Sequence, residues 1–190
     1  MLQLRRSALK REILNLMGSA GMEPNRTHWK TKTPIILAVA FLTGCYADTP
    51  DPIMGVVVSV YDGDTITLQT RTRTNQKIRL QGVDAPEIKQ PYGIESRDTL
   101  RKLLLNTVAH VICNKTDKYG RDVCVVYRKN TDINLLMIQA GAAHWYEAFA
   151  SEQSSHDRKL YEEAQEIARA QRQGLWADKA VPPWEWRKTL

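Results

Sequence analysis

The sequence predicts a mainly β fold with helices: a five-stranded barrel carrying three helices. The first observation is a set of β-branched runs broken by turn signals in "GVVVSVYDGDTITLQTRTRTNQKIRLQGV". The second is a helical stretch that interrupts the strands after the third. The third is a closing order of two more strands and two helices, giving β-β-β-α-β-β-α-α. Five short strands with a helix between the third and fourth is the pattern of an OB-fold barrel.

The strands expected first are Val56–Tyr61, Thr65–Thr70 and Lys77–Gly82, separated by "DGD" and by the polar "RTRTNQK". "GIESRDTLRKLLLN" puts Leu100, Leu103 and Leu104 on one helical face, with Glu95 or Ser96 near its start. "AHVIC" and "DVCVVYR" read as two strands around the loop "NKTDKYGR". "DINLLMIQAGAAHWY" reads as a helix stopping near Gly141. "HDRKLYEEAQEIARAQRQGLW" reads as a third, with Leu160, Ala164, Ile167 and Ala168 at helical spacing and an end at Gly174.

The net charge of +6 is unevenly spread. Residues 1–44 carry +5 and residues 45–190 only +1, so any nucleic-acid footprint on the folded part is local. The basic leader precedes "TPIILAVAFLTGC", whose apolar run is too short to span a bilayer. It reads as a secretory signal peptide, residues 1–44, with Met1 or Met22 as the start. "LTGC" resembles a bacterial lipobox, which makes Cys45 the expected lipidated residue and tethers the chain to a membrane it does not cross. Residues 45–55 then read as a tether, 56–176 as the domain and 177–190 as a C-terminal tail.

Two turns carry carboxylates. "YDGDTITL" supplies Asp62 and Asp64, and "RLQGVDAPE" supplies Asp84 and Glu87 after Arg79. Adjacent antiparallel strands can bring Asp64 and Asp84 to one end of the barrel, where a hard divalent cation would relieve their repulsion. Asp and Gly also favour turns for backbone reasons alone, so either turn by itself is compatible with a purely structural role. "DKYGR" adds Lys118, Tyr119 and Arg121. An arginine beside an acidic pair suits a phosphate, since a guanidinium makes paired charge-assisted hydrogen bonds to its oxygens. Among other chemistries, His28, His110, His144 and His156 lack metal spacing, and there is no CxxC, P-loop or Gly-x-Ser-x-Gly.

"YDGDTITL", "RLQGVDAPE" and "DKYGRDV", in this order, resemble the staphylococcal nuclease (thermonuclease) family, and the likeness continues through "INLLMIQAG" and "GLW". The resemblance implies an OB barrel with three helices and calcium-dependent cleavage of DNA and RNA that leaves 3′-phosphate ends. By motif position it implies Asp64 and Asp84 as calcium carboxylates. Ala85 stands where the family often has threonine and would ligate through its carbonyl. Glu87 matches the residue that deprotonates or positions water, Arg79 and Arg121 the phosphate-binding arginines, and Lys118 and Tyr119 the flank that holds the nucleotide. Asp62 belongs to the turn.

The expectation is therefore an exported, lipid-anchored nuclease acting on nucleic acid with no obligate protein partner. The alternative is a non-catalytic OB-fold lipoprotein that binds nucleic acid. Cys113 and Cys124 flank "NKTDKYGR" and would lie nearly opposite each other, either bridged in an oxidising compartment or as two buried thiols.

Overall fold

The computed structural model describes residues 51–178 and 180–190. The expected signal peptide and Cys45 lie outside the described residues. All described elements belong to one unit, Tyr46–Leu190.

The chain opens with a three-stranded meander, β1 (Ile53–Val60), β2 (Thr65–Thr70) and β3 (Asn75–Leu80), followed by the two-residue β4 (Val83–Asp84). Helix α1 (Gly93–Leu104) leads to β5 (Val108–Thr116), β6 (Asp122–Arg128) and the short β7 (Thr131–Asp132). Helix α2 (Ile133–Gln139), β8 (His144–Trp145), α3 (Ser155–Ala170) and the one-turn α4 (Pro183–Trp186) complete the order, joined by 3-10 turns. The sheet runs β3-β2-β1-β5-β6-β7, and a parallel pairing of β3 with β6 closes five strands into a barrel. This is the predicted OB-fold barrel with its three longer helices.

Apolar side chains at every second strand position fill the barrel: Val57, Leu68, Ile78, Val111 and Val126 are fully buried. Leu100 and Leu104 of α1 are fully buried in the same core. Asn134, at the start of α2, is buried with all three of its bonds inside. Its amide donates to the carbonyls of Gln81 (2.9 Å) and Cys124 (3.1 Å), and its oxygen accepts from the Val126 amide (3.1 Å). The helix is thereby tied to the seam between β3 and β6. Cys113 and Cys124 face each other across β5 and β6 with Cα atoms 4.0 Å apart and form a disulfide.

Several boundaries differ from the sequence reading. β1 begins at Ile53, inside the stretch read as a tether, because Ile53 and Gly55 pair with Val111 and Ala109 of β5. α2 ends at Gln139, as expected near Gly141 (φ +60°), and His144 and Trp145 beyond it pair with β4. α3 stops at Ala170 and buries Tyr161, Ala164 and Ala168, leaving Leu160 37% and Ile167 57% exposed. Ala164 and Ala168 face inward as expected, and Tyr161 takes the inward place in front of them, its hydroxyl donating at 2.7 Å to Asp132, the residue that caps α2. Residues 181–190 fold back onto the domain and are not a free tail.

Candidate active site

The "DGD" turn is pressed against α1: a Cβ on Gly63 would collide with the Ser96 hydroxyl and with Ala85. Glycine is required there by space. Asp62 accepts the Asp64 amide at 3.0 Å and so shapes the turn. Asp64 leaves the turn at the mouth of β2, and its carbonyl accepts the Leu80 amide of β3 at 2.8 Å. Arg79 lies opposite Thr65 in the same pair of strands. Gly82, at φ +72°, then bends the chain so that β4 carries Asp84 back towards Arg79.

The Arg79 guanidinium joins the two aspartates. Nη1 pairs with Asp64 Oδ1, and Nη2 lies 2.9 Å from Asp84 Oδ1 and 3.3 Å from the Val83 carbonyl. Both carboxylates are buried, Asp84 completely. Asp64 accepts the Thr65 hydroxyl at 2.9 Å and the Ala85 amide at 3.0 Å. Arg121 reaches the same threonine, with Nη1 3.3 Å from its hydroxyl oxygen, while Asp117 holds Arg121 at 2.7 Å and 2.8 Å. Glu87 stands at the rim. Its Oε1 is 2.9 Å from Nη1 of Arg187, whose Nη2 is 2.7 Å from Asp84 Oδ2.

Asp64, Arg79, Asp84, Ala85 and Glu87 thus converge, with Arg121 joined through Thr65. Lys118 and Tyr119 sit apart, on the tip of the β5–β6 hairpin. The Tyr119 ring is 70% exposed, with Lys118 Nζ 5.1 Å and Arg121 Cζ 5.3 Å from its centroid. Arg187 was not expected here. The stretch "VPPWEWRKTL" has no motif that marks it, and only the folded arm brings its arginine to partners a hundred residues earlier. In the aromatic stretch "HWYEAF", His144 and Trp145 are buried, and Trp145 Nε1 donates to Gln153 at 2.9 Å.

A family model described as staphylococcal nuclease homologue matches residues 77–178, more than half of the chain. The chain belongs to the staphylococcal nuclease homologue family. The matched segment holds Arg79, Asp84, Ala85, Glu87 and the hairpin residues; Asp64 precedes it. An "Uncharacterized endonuclease" of Haemophilus influenzae is 39% identical over 133 residues, covering 70% of this chain and 71% of the relative. A "Micrococcal nuclease" of Shigella flexneri is 37% identical over 144 residues, 70% of this chain and 80% of the relative. A "Staphylococcal-like nuclease" of Arabidopsis thaliana is 36% identical over 113 residues, 59% of this chain and 33% of the relative.

The charges in this staphylococcal nuclease homologue are set by burial and by two guanidinium groups. Burial opposes ionisation of Asp64, but the Arg79 charge, the Ala85 amide and the Thr65 hydroxyl outweigh it and hold Asp64 below the usual carboxylate range. In Asp84 burial wins and pushes the carboxyl up, against Arg187 and Arg79. Burial, and then the Asp64 charge, push Asp62 up to about 7. Among the described residues no group of three or more His, Cys, Asp or Glu side chains is arranged to hold a metal ion. Arg79 stands between Asp64 and Asp84, and Arg187 between Asp84 and Glu87. The donor set itself is all oxygen, the chemistry of a hard cation. The position between Asp84 and Glu87 already attracts positive charge, with the Arg187 guanidinium as the stand-in.

Proposed function

We propose that this chain is a calcium-dependent endonuclease that hydrolyses phosphodiester bonds in DNA and/or RNA and leaves 3′-phosphate ends. The observation that carries the reading is the joint contact of Arg79 with two buried carboxylates, Asp64 and Asp84. Family membership and relatives named as nucleases support it. Asp64, Asp84 and the Ala85 carbonyl would hold the calcium, which when bound supplies positive charge at the scissile phosphate.

The chain's own groups supply the rest. Arg79 and Arg121 offer planar guanidinium groups to phosphate oxygens and stabilise the charge that builds on phosphorus during attack. Glu87 orients or deprotonates the attacking water. The water oxygen bonds to phosphorus, the P–O5′ bond breaks, and the 5′ oxygen departs with a proton. The phosphate stays on the 3′ carbon. Tyr119 presents an exposed ring on which a base stacks, with Lys118 beside it.

Plasmid nicking by the purified protein tests this. Cleavage is expected with calcium and is abolished by chelator, and the 3′ ends should resist polymerase extension until treated with phosphatase. Absence of cleavage at saturating calcium sinks the reading.

We also infer export and lipid anchoring at Cys45. The apolar run before "LTGC" supports it. The Cys113–Cys124 disulfide adds support, because such bonds persist in oxidising compartments. Mass spectrometry of membrane-extracted protein should find an acylated N-terminal Cys45, and a soluble product beginning elsewhere would exclude it.

A further inference from the structure

The last ten residues cross the candidate site, and contacts of different kinds fix their course. The Gln90 amide donates to the Val181 carbonyl. Pro183 is buried. Trp184 stacks on Tyr146 with ring centroids 5.4 Å apart and planes 17° from parallel, and it meets the His144 ring edge-on at 5.3 Å. Arg187 then enters the carboxylate cluster.

Its hydrogen bonds engage both oxygens of Asp84. Nη2 is 2.7 Å from Oδ2, and Nη1 is 3.2 Å from Oδ1 and 2.9 Å from Glu87 Oε1. Arg79 shares Oδ1. The Asp84 side chain has no exposed surface, so a cation can use it only through an oxygen that a guanidinium now holds. The two guanidinium groups differ in how they are held. Arg79 is rooted in the barrel and also answers Asp64. Arg187 lies just past a one-turn helix, is 39% exposed at its side chain, and among the described residues bonds through its guanidinium only to Asp84 and Glu87.

We propose that residues 181–190 form an intramolecular inhibitor of metal loading, in which Arg187 is a tethered cation occupying Asp84 and Glu87 and a divalent cation binds by displacing it. The proposal rests on the reading of Asp84 as a metal ligand. Docking of the arm and use of Asp84 by a metal ion exclude each other, so the coupling is reciprocal: the arm weakens cation binding, and the cation releases the arm. The apparent dissociation constant rises as the fraction of competent molecules falls, so an arm docked in about nine molecules of ten weakens binding about tenfold.

Calcium titration calorimetry on the full chain and on two variants tests the proposal. Arg187→Gln removes the tethered charge. Trp184→Ala loosens the arm and leaves Arg187 in place. Both variants should bind calcium about tenfold more tightly than the parent. In the parent, amide exchange across residues 184–189 should accelerate when calcium is added. Equal or weaker calcium affinity in both variants overturns the proposal, and so does unchanged exchange in the calcium-loaded parent. If none of the three proteins binds calcium while all keep native circular dichroism, the assignment of Asp84 as a ligand fails first and the inhibitor with it.

Discussion

The Ala85 amide donates to Asp64 Oδ2 at 3.0 Å, so the turn after β1 and the chain leaving β4 are locked through one carboxylate. Asp64 is at once a candidate ligand and a structural acceptor. Asp64→Ala should therefore weaken calcium binding and also lower stability by about 2–3 kcal/mol, since a buried charged hydrogen-bond acceptor is lost. Calorimetric titration and urea unfolding read the two effects separately.

Glu87 is tied less to the fold, because among the described residues its side chain bonds only to Arg187 at the rim. Glu87→Gln keeps the size and an oxygen acceptor but cannot take a proton at neutral pH. Turnover should fall by about 10²–10⁴-fold, with calcium binding far less affected. Cleavage at the parent rate with calcium saturating would remove Glu87 from the chemistry. Arg79→Ala and Arg121→Ala should also slow cleavage, through lost stabilisation of charge on phosphorus.

The Cys113–Cys124 bridge closes a loop of sequence separation 11 around the hairpin that carries Tyr119 and Arg121. Thiol counting on unfolded, unreduced protein should find neither cysteine reactive. Reduction should lower stability by about 2–3 kcal/mol, the loop-closure contribution for a short loop. Two reactive thiols from this pair would disprove the bridge.

His144 is buried against Trp176 and Trp184, and its Nε2 has no hydrogen-bond partner among the described residues. Burial lowers its pKa from 6.5 to about 4. The folded value lies below the unfolded one, so the contribution to stability is complete above 6.5 and is lost as pH falls towards 4. By pH 5 the loss is about 2 kcal/mol. Asp62, pushed up to about 7, works in the opposite sense, because the folded state takes its proton first. The comparison with His144→Phe isolates the histidine: the variant should gain stability relative to the parent on going from pH 7 to pH 5. A pH-independent difference would mean that the ring accepts a proton in place.

The barrel was legible because strand alternation and turn residues act locally. "DGD", "QGVD" and "DKYGR" each announce a bend, and the site motifs sit on those bends. Arg79, Asp64 and Asp84 could be grouped because two consecutive hairpin strands leave few ways to arrange them. What could not be read depends on contacts without local pattern. β4 and β8 are two residues each and exist only by pairing with one another. On α3, helical spacing places Ala164 and Ala168 inward, as found, but points to Leu160 in place of Tyr161, whose buried ring carries a hydroxyl bonded to Asp132 that hydropathy does not reveal. Arg187 finds its partner 103 residues away, and nothing in "PPWEWRKTL" indicates the destination.

The parallel pairing of β3 with β6 sets Ile78 against Asp122 and Arg79 against Val123. Arg79 and Arg121 therefore straddle the seam: Arg79 takes its place opposite Thr65 within the β2–β3 pair, and Arg121 joins it there only when two segments more than forty residues apart have met. Such distant pairings form late, since chain entropy must be given up before the contact repays it. The order of assembly then acts as a safeguard. A nascent or unfolded chain carries every charged residue of the site and yet has no site, and the full cluster comes into being only in the step that makes the barrel whole.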